Sequence, residues 1–397
     1  MQEERDVLAT AVREHAGRLA AALVHLLGDI SAAEDVVQDA VEIALKRWPV
    51  EGVPDRPDAW LYTVARRRGL DVLRRQSTYR DKLARLRPEP PPEDDRLRLV
   101  FTCCHPALSR AAQIALTLRV VCGLSTAQIA AAFVVPEPTV AQRLTRAKRK
   151  IADAGIPYRV PPADELPARL HEVLAVIYLL FNEGYLSSTA ERSHAAELVD
   201  DAEWLAATLA GLMPGEPEVT GLLALIRLHR ARGAARFDDR GRIVLLAEQD
   251  RSLWDREAIG KACDLLVRSA RRHHRPGPYQ VQAALAACHA EAASWAETDW
   301  PQILTLYDLL LHLAPSPVTR LHRAVAVRQV KGAAAALAEV DAVGGELERY
   351  PLFHATRAEL LRDLGRRGEA RQADERALAL TANPAQQALL AERLTWT

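Results

Sequence analysis

Five cations, Arg143, Arg146, Lys148, Arg149 and Lys150, fall within one eight-residue stretch, and a second basic run, Arg66, Arg67, Arg68, Arg74 and Arg75, lies near Trp60 and Tyr62. Side chains of these types act by neutralising phosphate oxygens, and neighbouring aromatic rings suit unstacked bases. Cys103, Cys104 and His105 invite instead a metal or thiol reading. Zinc needs four convergent ligands, and adjacent cysteines chelate poorly without a two-residue spacer, so packing at a domain start is the favoured reading. The sequence carries no phosphate loop, nucleophile elbow or metal-chelating motif, so it points to binding, with no catalytic residues, no metal and no cofactor.

The first cation group sits in GLSTAQIAAAFVVPEPTVAQRLTRAKRKI, residues 123–151. Ser125 and Gln128 have capping-box spacing, and Ile129, Ala130 and Phe133 follow at helical intervals. After a turn at Val134 to Pro136, Val140, Leu144, Ala147 and Ile151 form an inward stripe that leaves the cations mainly outside it. Two short helices of this kind predict a helix-turn-helix whose second helix enters the major groove by its N-terminal half. Upstream, Ser31 and Glu34 predict a capped helix to Trp48, apolar along Val36, Val37, Ala40, Val41, Ala44 and Leu45. Glu34, Asp35, Asp39 and Glu42 lie along its other side, a surface suited to a basic protein partner. The next helix, Asp58 to Arg75, is strongly basic.

Nearly every segment of the 397 residues has helical periodicity, and Arg242 to Ala247 is too short to establish a strand, so the class is all-α. Formal net charge is zero, but residues 1–160 carry five more basic than acidic side chains and the remainder five more acidic than basic. A basic front half suits a polyanionic partner. Five cysteines form no disulfide framework, MQEERD has no signal-peptide character, and the apolar run Val173 to Phe181 is too short to span a bilayer. A cytoplasmic protein without membrane contact is expected. Proline-rich joints divide the chain into residues 1–75, a flexible linker at 76–95, residues 96–155, and a tail at 165–397. Fully stretched, that linker reaches roughly 60 Å.

In the tail, Thr298-Asp299-Trp300, Lys331-Gly332 and Leu364-Gly365 recur 33 to 34 residues apart, and Ala358, Gly365, Ala370, Ala377 and Leu378 follow tetratricopeptide (TPR) spacing. Leu337 and Ile303 occupy the position of Ala370 in the earlier units. Gly184, in Asn182-Glu183-Gly184-Tyr185, is expected to cap the preceding helix, and Arg271 to Arg275 reads as a solvated loop.

AAEDVVQDAVEIALKRW followed by RPDAWLYTVARRRGLDVLRR resembles domain 2 of bacterial extracytoplasmic-function (ECF) sigma factors, and residues 97–151 resemble their domain 4, in the family's order. FTCCHPAL, LLFNEGYLSS and the TPR-like tail resemble the group with a long C-terminal helical extension. The resemblance implies a domain 2 helical bundle, a domain 4 helix-turn-helix, and a factor that binds core RNA polymerase and directs initiation at promoter DNA. By position, Asp35, Gln38 and Asp39 would dock on polymerase. Residues from Pro49 to Arg56 would form a pocket for a flipped base. Trp60, Tyr62, Arg66, Arg67, Arg68, Arg74 and Arg75 would hold the −10 element. Thr139, Gln142, Arg143, Arg146, Lys148, Arg149 and Lys150 would contact the −35 element. The tail would take a regulatory protein or ligand. Val134 stands where the family's turn usually has glycine, and the Cys103-Cys104-His105-Pro106 segment replaces the usual leucine-proline-glutamate lead-in, so a remodelled turn is expected. From the residues alone, the alternative is a helix-turn-helix regulator with a helical-repeat sensor domain, which would bind operator DNA unaided.

Overall fold

Asp29, in an extended conformation, accepts a hydrogen bond from the Ala32 amide at 2.7 Å and so starts a 22-residue helix. In this computed structural model, which describes residues 19–75, 96–133, 135–186, 192–271, 275–381 and 383–395, that helix is α2 (Ile30–Glu51), after α1 (19–27). The expected Ser31 and Glu34 cap therefore lies too far along the chain: Asp29 satisfies the first turn and frees Glu34 for a distant partner. The helix also runs through Pro49 and stops at Gly52, whose φ of 85° suits glycine, so the loop expected from Pro49 shrinks to 52–56. In α3 (Pro57–Arg75), Gly69 lies against leucines of α1, where a Cβ would sit 3.4 Å from Leu26.

Beyond the linker, whose residues lie outside the described ones, come α4 (Arg96–Cys103) and α5 (Arg110–Leu116). A wide turn at Thr117–Val121 continues α5, closed by the Cys122 amide on the Thr117 carbonyl at 3.2 Å. Next are α6 (Thr126–Ala132) and α7 (Glu137–Asp153), the expected helix-turn-helix pair, although Val134 of the turn lies outside the described residues. Helix α8 (Leu166–Leu186) passes straight through Gly184, which is buried among its neighbours and caps nothing. Arg169 of α8 donates to the Phe101 carbonyl at 2.6 Å, and Arg110 pairs with Glu172 at 2.8 Å. Helix α8 accordingly belongs with the first unit, which comprises the described residues of Met1–Tyr185 and His194–Leu205. These polar ties bind α8 to the segment before it, across the joint at residues 155–162.

The second unit takes the described residues of Leu186–Ser193 and Ala206–Thr397, with α9 (Arg192–Leu212) contributing to both. Its first part holds α10 (Pro217–Arg230), α11 (Arg256–Ala270) and α12 (Pro278–Glu291). The Glu218 carboxylate accepts from the Tyr279 and Gln280 amides, each at 3.0 Å, anchoring the start of α12. Arg251 stacks on Trp254 and donates to the carbonyls of His289 and Ala292 at the far end of α12. Residues 272–274 of the basic Arg271 to Arg275 run lie outside the described ones.

Three helix pairs follow. They are α13 (Trp300–Leu313) with α14 (Pro317–Lys331), α15 (Ala333–Asp341) with α17 (Pro351–Asp363) across the short α16 (Gly344–Leu347), and α18 (Arg367–Leu380) with α19 (Pro384–Thr395). The repeated turn positions mark the start of each pair, with Gly332 and Gly365 at positive φ. Ala358, Ala370 and Ala377 are fully buried, where small side chains let helices approach closely. Arg323 bridges α14 to both Asp308 and Glu339, and Arg328 ties α14 to Glu359 and Asp363. Among the described residues the only β pairing is an isolated Phe237 and Ile243 bridge, and no helix is long and apolar enough to cross a membrane.

Two half-buried histidines are expected to make the second unit acid-sensitive. Burial pushes His229 down to about 3 and His289 down to about 4, with neighbouring arginines adding to both shifts. Unfolded imidazoles bind protons near pH 6.5, so this stabilisation is complete above that value and is lost as pH falls toward the folded values. Each group then costs about 1.4 kcal/mol per pH unit at most within that window. Thermal melts from pH 7.5 to 5 are expected to show a falling midpoint for the second unit, with a shallower slope in His229→Gln.

Candidate nucleic-acid interface

Helix α7 begins after Pro136, with Pro138 tolerated in its first turn and Glu137 near the positive end of the helix dipole. Val140, Leu144 and Ala147 are buried, which fixes its rotation. Helix α6 is held before it by a reciprocal cap: the Ser125 amide donates to Gln128 Oε1 at 2.8 Å, and the Gln128 amide to Ser125 Oγ at 3.1 Å. With that rotation, Thr139, Gln142, Arg143, Arg146 and Lys150 line one groove of about 370 Å³, whose other wall includes Ser109 and Ala112. Three cations and no carboxylate line it, a charge pattern suited to a phosphate backbone.

Lys148 and Arg149 do not join that groove. Arg149 pairs along the helix with Asp153 at 3.3 Å, an exposed contact of little energetic weight. Lys148 reaches Glu34 of α2 at 2.5 Å, and Arg119 from the wide turn binds the same carboxylate. The three side chains are only 12% (Glu34), 15% (Arg119) and 21% (Lys148) exposed. The sequence reading missed Arg119. Its signal was present: Arg119 is the lone charged side chain between residues 111 and 136, and a cation in so apolar a run needs a carboxylate from elsewhere.

On α2, Val36, Val37, Ala40, Ala44 and Trp48 face inward and leave Asp35, Gln38 and Asp39 exposed together. On α3, Leu61, Ala65 and Leu73 are buried while Arg66, Arg67 and Arg68 are exposed. Trp60 is half-buried, edge-on to Trp48 with ring centroids 5.5 Å apart, and Tyr62 is also half-buried. Each keeps only part of its ring for a base. The side chains of Arg74 and Arg75 lie outside the described ones.

The cysteines have a structural setting. Cys103, Cys104 and Cys122 are all buried, and Gln113 Nε2 donates to the carbonyls of Cys104 and His105, closing the end of α4. Burial pushes the Cys104 thiol up to about 11 and the Cys103 thiol well above its usual range, so both stay protonated and poorly nucleophilic at neutral pH. His105 accepts from the Ala107 amide at 3.2 Å, and burial, with Arg169 nearby, lowers its proton affinity. No group of three or more potential metal ligands occurs among the described residues.

Three family models match the chain. The model for sigma-70 region 2 matches residues 11–79, that for sigma-70 region 4 matches residues 98–151, and a family of unknown function, DUF6596, matches residues 169–270. The chain is 45% identical over 395 residues to the uncharacterized protein R00370 of Rhizobium meliloti strain 1021, covering 94% of this chain and 92% of that protein. It is 30% identical over 174 residues to the probable ECF RNA polymerase sigma factor SigI of Mycobacterium tuberculosis, covering 40% of this chain and 59% of that relative. The chain thus carries sigma-70 regions 2 and 4 in order, with the DUF6596 region behind them, and is distantly similar to an extracytoplasmic-function sigma factor.

Proposed function

We propose that this chain is a sigma factor that docks on core RNA polymerase through Asp35, Gln38 and Asp39, holds the −10 element with Trp60, Tyr62, Arg66 to Arg68, Arg74 and Arg75, and reads the −35 element with α7. The observation that carries this reading is the carboxylate-free groove formed by Arg143, Arg146 and Lys150 beside Thr139 and Gln142, within the region 4 match. Thr139 and Gln142 are exposed near the start of α7, where base edges are met in a helix-turn-helix, and the cations farther along face phosphates. Lys148 and Arg149 would join them after exchanging their present partners. The chain supplies binding energy and register, whereas polymerase performs the chemistry. Extruding one base costs a few kcal/mol, which contacts to the displaced strand would offset. Such a factor works in the cytoplasm, where polymerase and promoters are.

The exposed acidic trio on α2 suits a basic polymerase surface. Asp39→Arg is expected to weaken core binding by about tenfold or more, through a like-charge contact, and to leave −35 duplex affinity unchanged. Fluorescence titration with core polymerase, beside a mobility shift on −35 DNA, checks both halves. Equal core affinity for mutant and wild type would remove α2 from the docking surface. The function itself is tested by reconstituted transcription with promoters selected in vitro. Specific initiation is expected, and none from any selected promoter would defeat the reading.

The helical-repeat tail acts, in this reading, in cis on sigma activity, its paired helices presenting a surface to a peptide, protein or small ligand. A cut after Pro161 does not test this, since it removes Arg169 and Glu172, which brace α4 and α5. A cut after Met213 keeps α8 and α9 and is the informative one. That truncation is expected to change promoter output in the reconstituted assay, and unchanged output under every inducing condition would show the tail to be dispensable.

A further inference from the structure

The Glu34, Arg119 and Lys148 cluster joins two parts of the chain that promoter binding must hold apart. Lys148 lies on α7, the helix proposed to read −35, and Glu34 lies on α2, one residue before the proposed polymerase contact Asp35. A groove of about 400 Å³ continues from the cluster, with Gln38, Val41 and Leu45 of α2 facing Gly123, Ser125 and Gln128 of the helix-turn-helix. A second tie lies elsewhere on the same interface: Tyr158, just beyond α7, donates its hydroxyl to the Ala21 carbonyl of α1 at 2.8 Å. On a promoter the −10 and −35 elements are roughly 80 Å apart along a duplex that rises about 3.4 Å per base pair. The conformation described is therefore closed to simultaneous use of both elements.

We infer that Glu34 with Arg119 and Lys148 forms an autoinhibitory latch, which holds the region 2 and region 4 parts together in the free protein and opens on core polymerase. The inference rests on the sigma-factor reading above and adds its regulation. The charge pattern carries the argument. The carboxylate taken up by the latch belongs to the acidic side of α2, and one of its cations belongs to the basic set on α7. Each part satisfies internally a charge that it would otherwise present to polymerase or to DNA. The cluster is mostly buried but not sealed, so loss of Glu34 leaves two cations facing each other without compensation, and loss of Arg119 removes one of the two ion pairs that join α2 to the helix-turn-helix side. A population held closed lowers apparent core affinity in proportion to the fraction closed.

Energy transfer between dyes placed through unnatural amino acids at Arg47 and Ala127, both exposed and outside the proposed contacts, reads the distance in the full-length chain. The free wild type is expected to show high transfer, lost on adding core polymerase and reduced by raising salt from 50 to about 500 mM. Arg119→Gln, on the region 4 side and outside the proposed DNA contacts, is expected to lower transfer in the free chain and to tighten core binding about threefold to tenfold. Glu34→Gln should lower transfer likewise, and Tyr158→Phe should do so more weakly. Circular dichroism identifies any variant that has lost its fold, and the salt dependence of the wild type needs no variant. Low transfer in the free wild type, or high transfer retained by every folded variant and at high salt, overturns the latch. High transfer lost in the variants, with no core binding by any form, upholds the latch while refuting the sigma-factor reading.

Discussion

Glu34 is one carboxylate shared by two cations from separate helices, and the arrangement of the first unit turns on it. Withdrawing three charges from water costs nearly as much as their attraction returns, so such a cluster adds little net stability compared with an apolar contact. It supplies register instead. An apolar patch would hold the two parts in many nearly equivalent ways, whereas a carboxylate between a guanidinium and an ammonium is satisfied in one. It is also weakened by salt and by competing charges, which an apolar seam is not. A joint that must release on meeting a charged partner is better built this way.

Helix geometry decides which cations of α7 line the open groove and which turn toward α2. Once Val140, Leu144 and Ala147 are turned inward, Arg143, Arg146 and Lys150 fall on the side toward Ser109 and Ala112. Lys148, one residue past Ala147, swings about 100° round the helix to the opposite edge and faces α2. The division of labour within a five-cation run thus follows from rotation. The same rule on α2 puts Asp35, Gln38 and Asp39 on one exposed side of a helix whose other side is core.

Local patterns were legible in the sequence, and longer-range ones were not. The Ser125 and Gln128 cap, the α7 stripe and the repeated turns at 299, 332 and 365 involve residues close in sequence, so spacing specifies them. Ser31 and Glu34 have the same spacing but form no cap, since Asp29 is two residues nearer the chain's entry and Glu34 has partners 85 and 114 positions away. Gly184 matched a helix stop in composition but sits in close packing inside α8, where only tertiary structure distinguishes a small buried residue from a cap. The proline-rich joint at 155–162 suggested a domain edge, yet Arg169 and Glu172 beyond it reach back to α4 and α5. Glycine and proline report local backbone conformation. They do not report which helices share a core.

The groove on α7 also bounds what that helix achieves alone. Three cations releasing counterions would give a salt slope of about −3, against slopes near −10 for tight duplex binders. Thr139 and Gln142 offer two side chains at the reading end, few for high discrimination. On the proposed reading, binding by α7 in isolation would therefore be weak and salt-sensitive. Exposed Arg66 to Arg68 on α3 would form a second weak contact of the same kind. Holding both on one rigid carrier makes the second contact intramolecular and raises avidity by about 10² to 10⁴ without any new interaction. For that gain the two contacts must be apart at the promoter spacing, and the Glu34 cluster holds them together. On the proposed reading the carrier would supply the energy of separation, so specificity would belong to the assembly of sigma factor and polymerase, and the free chain would stay off most DNA.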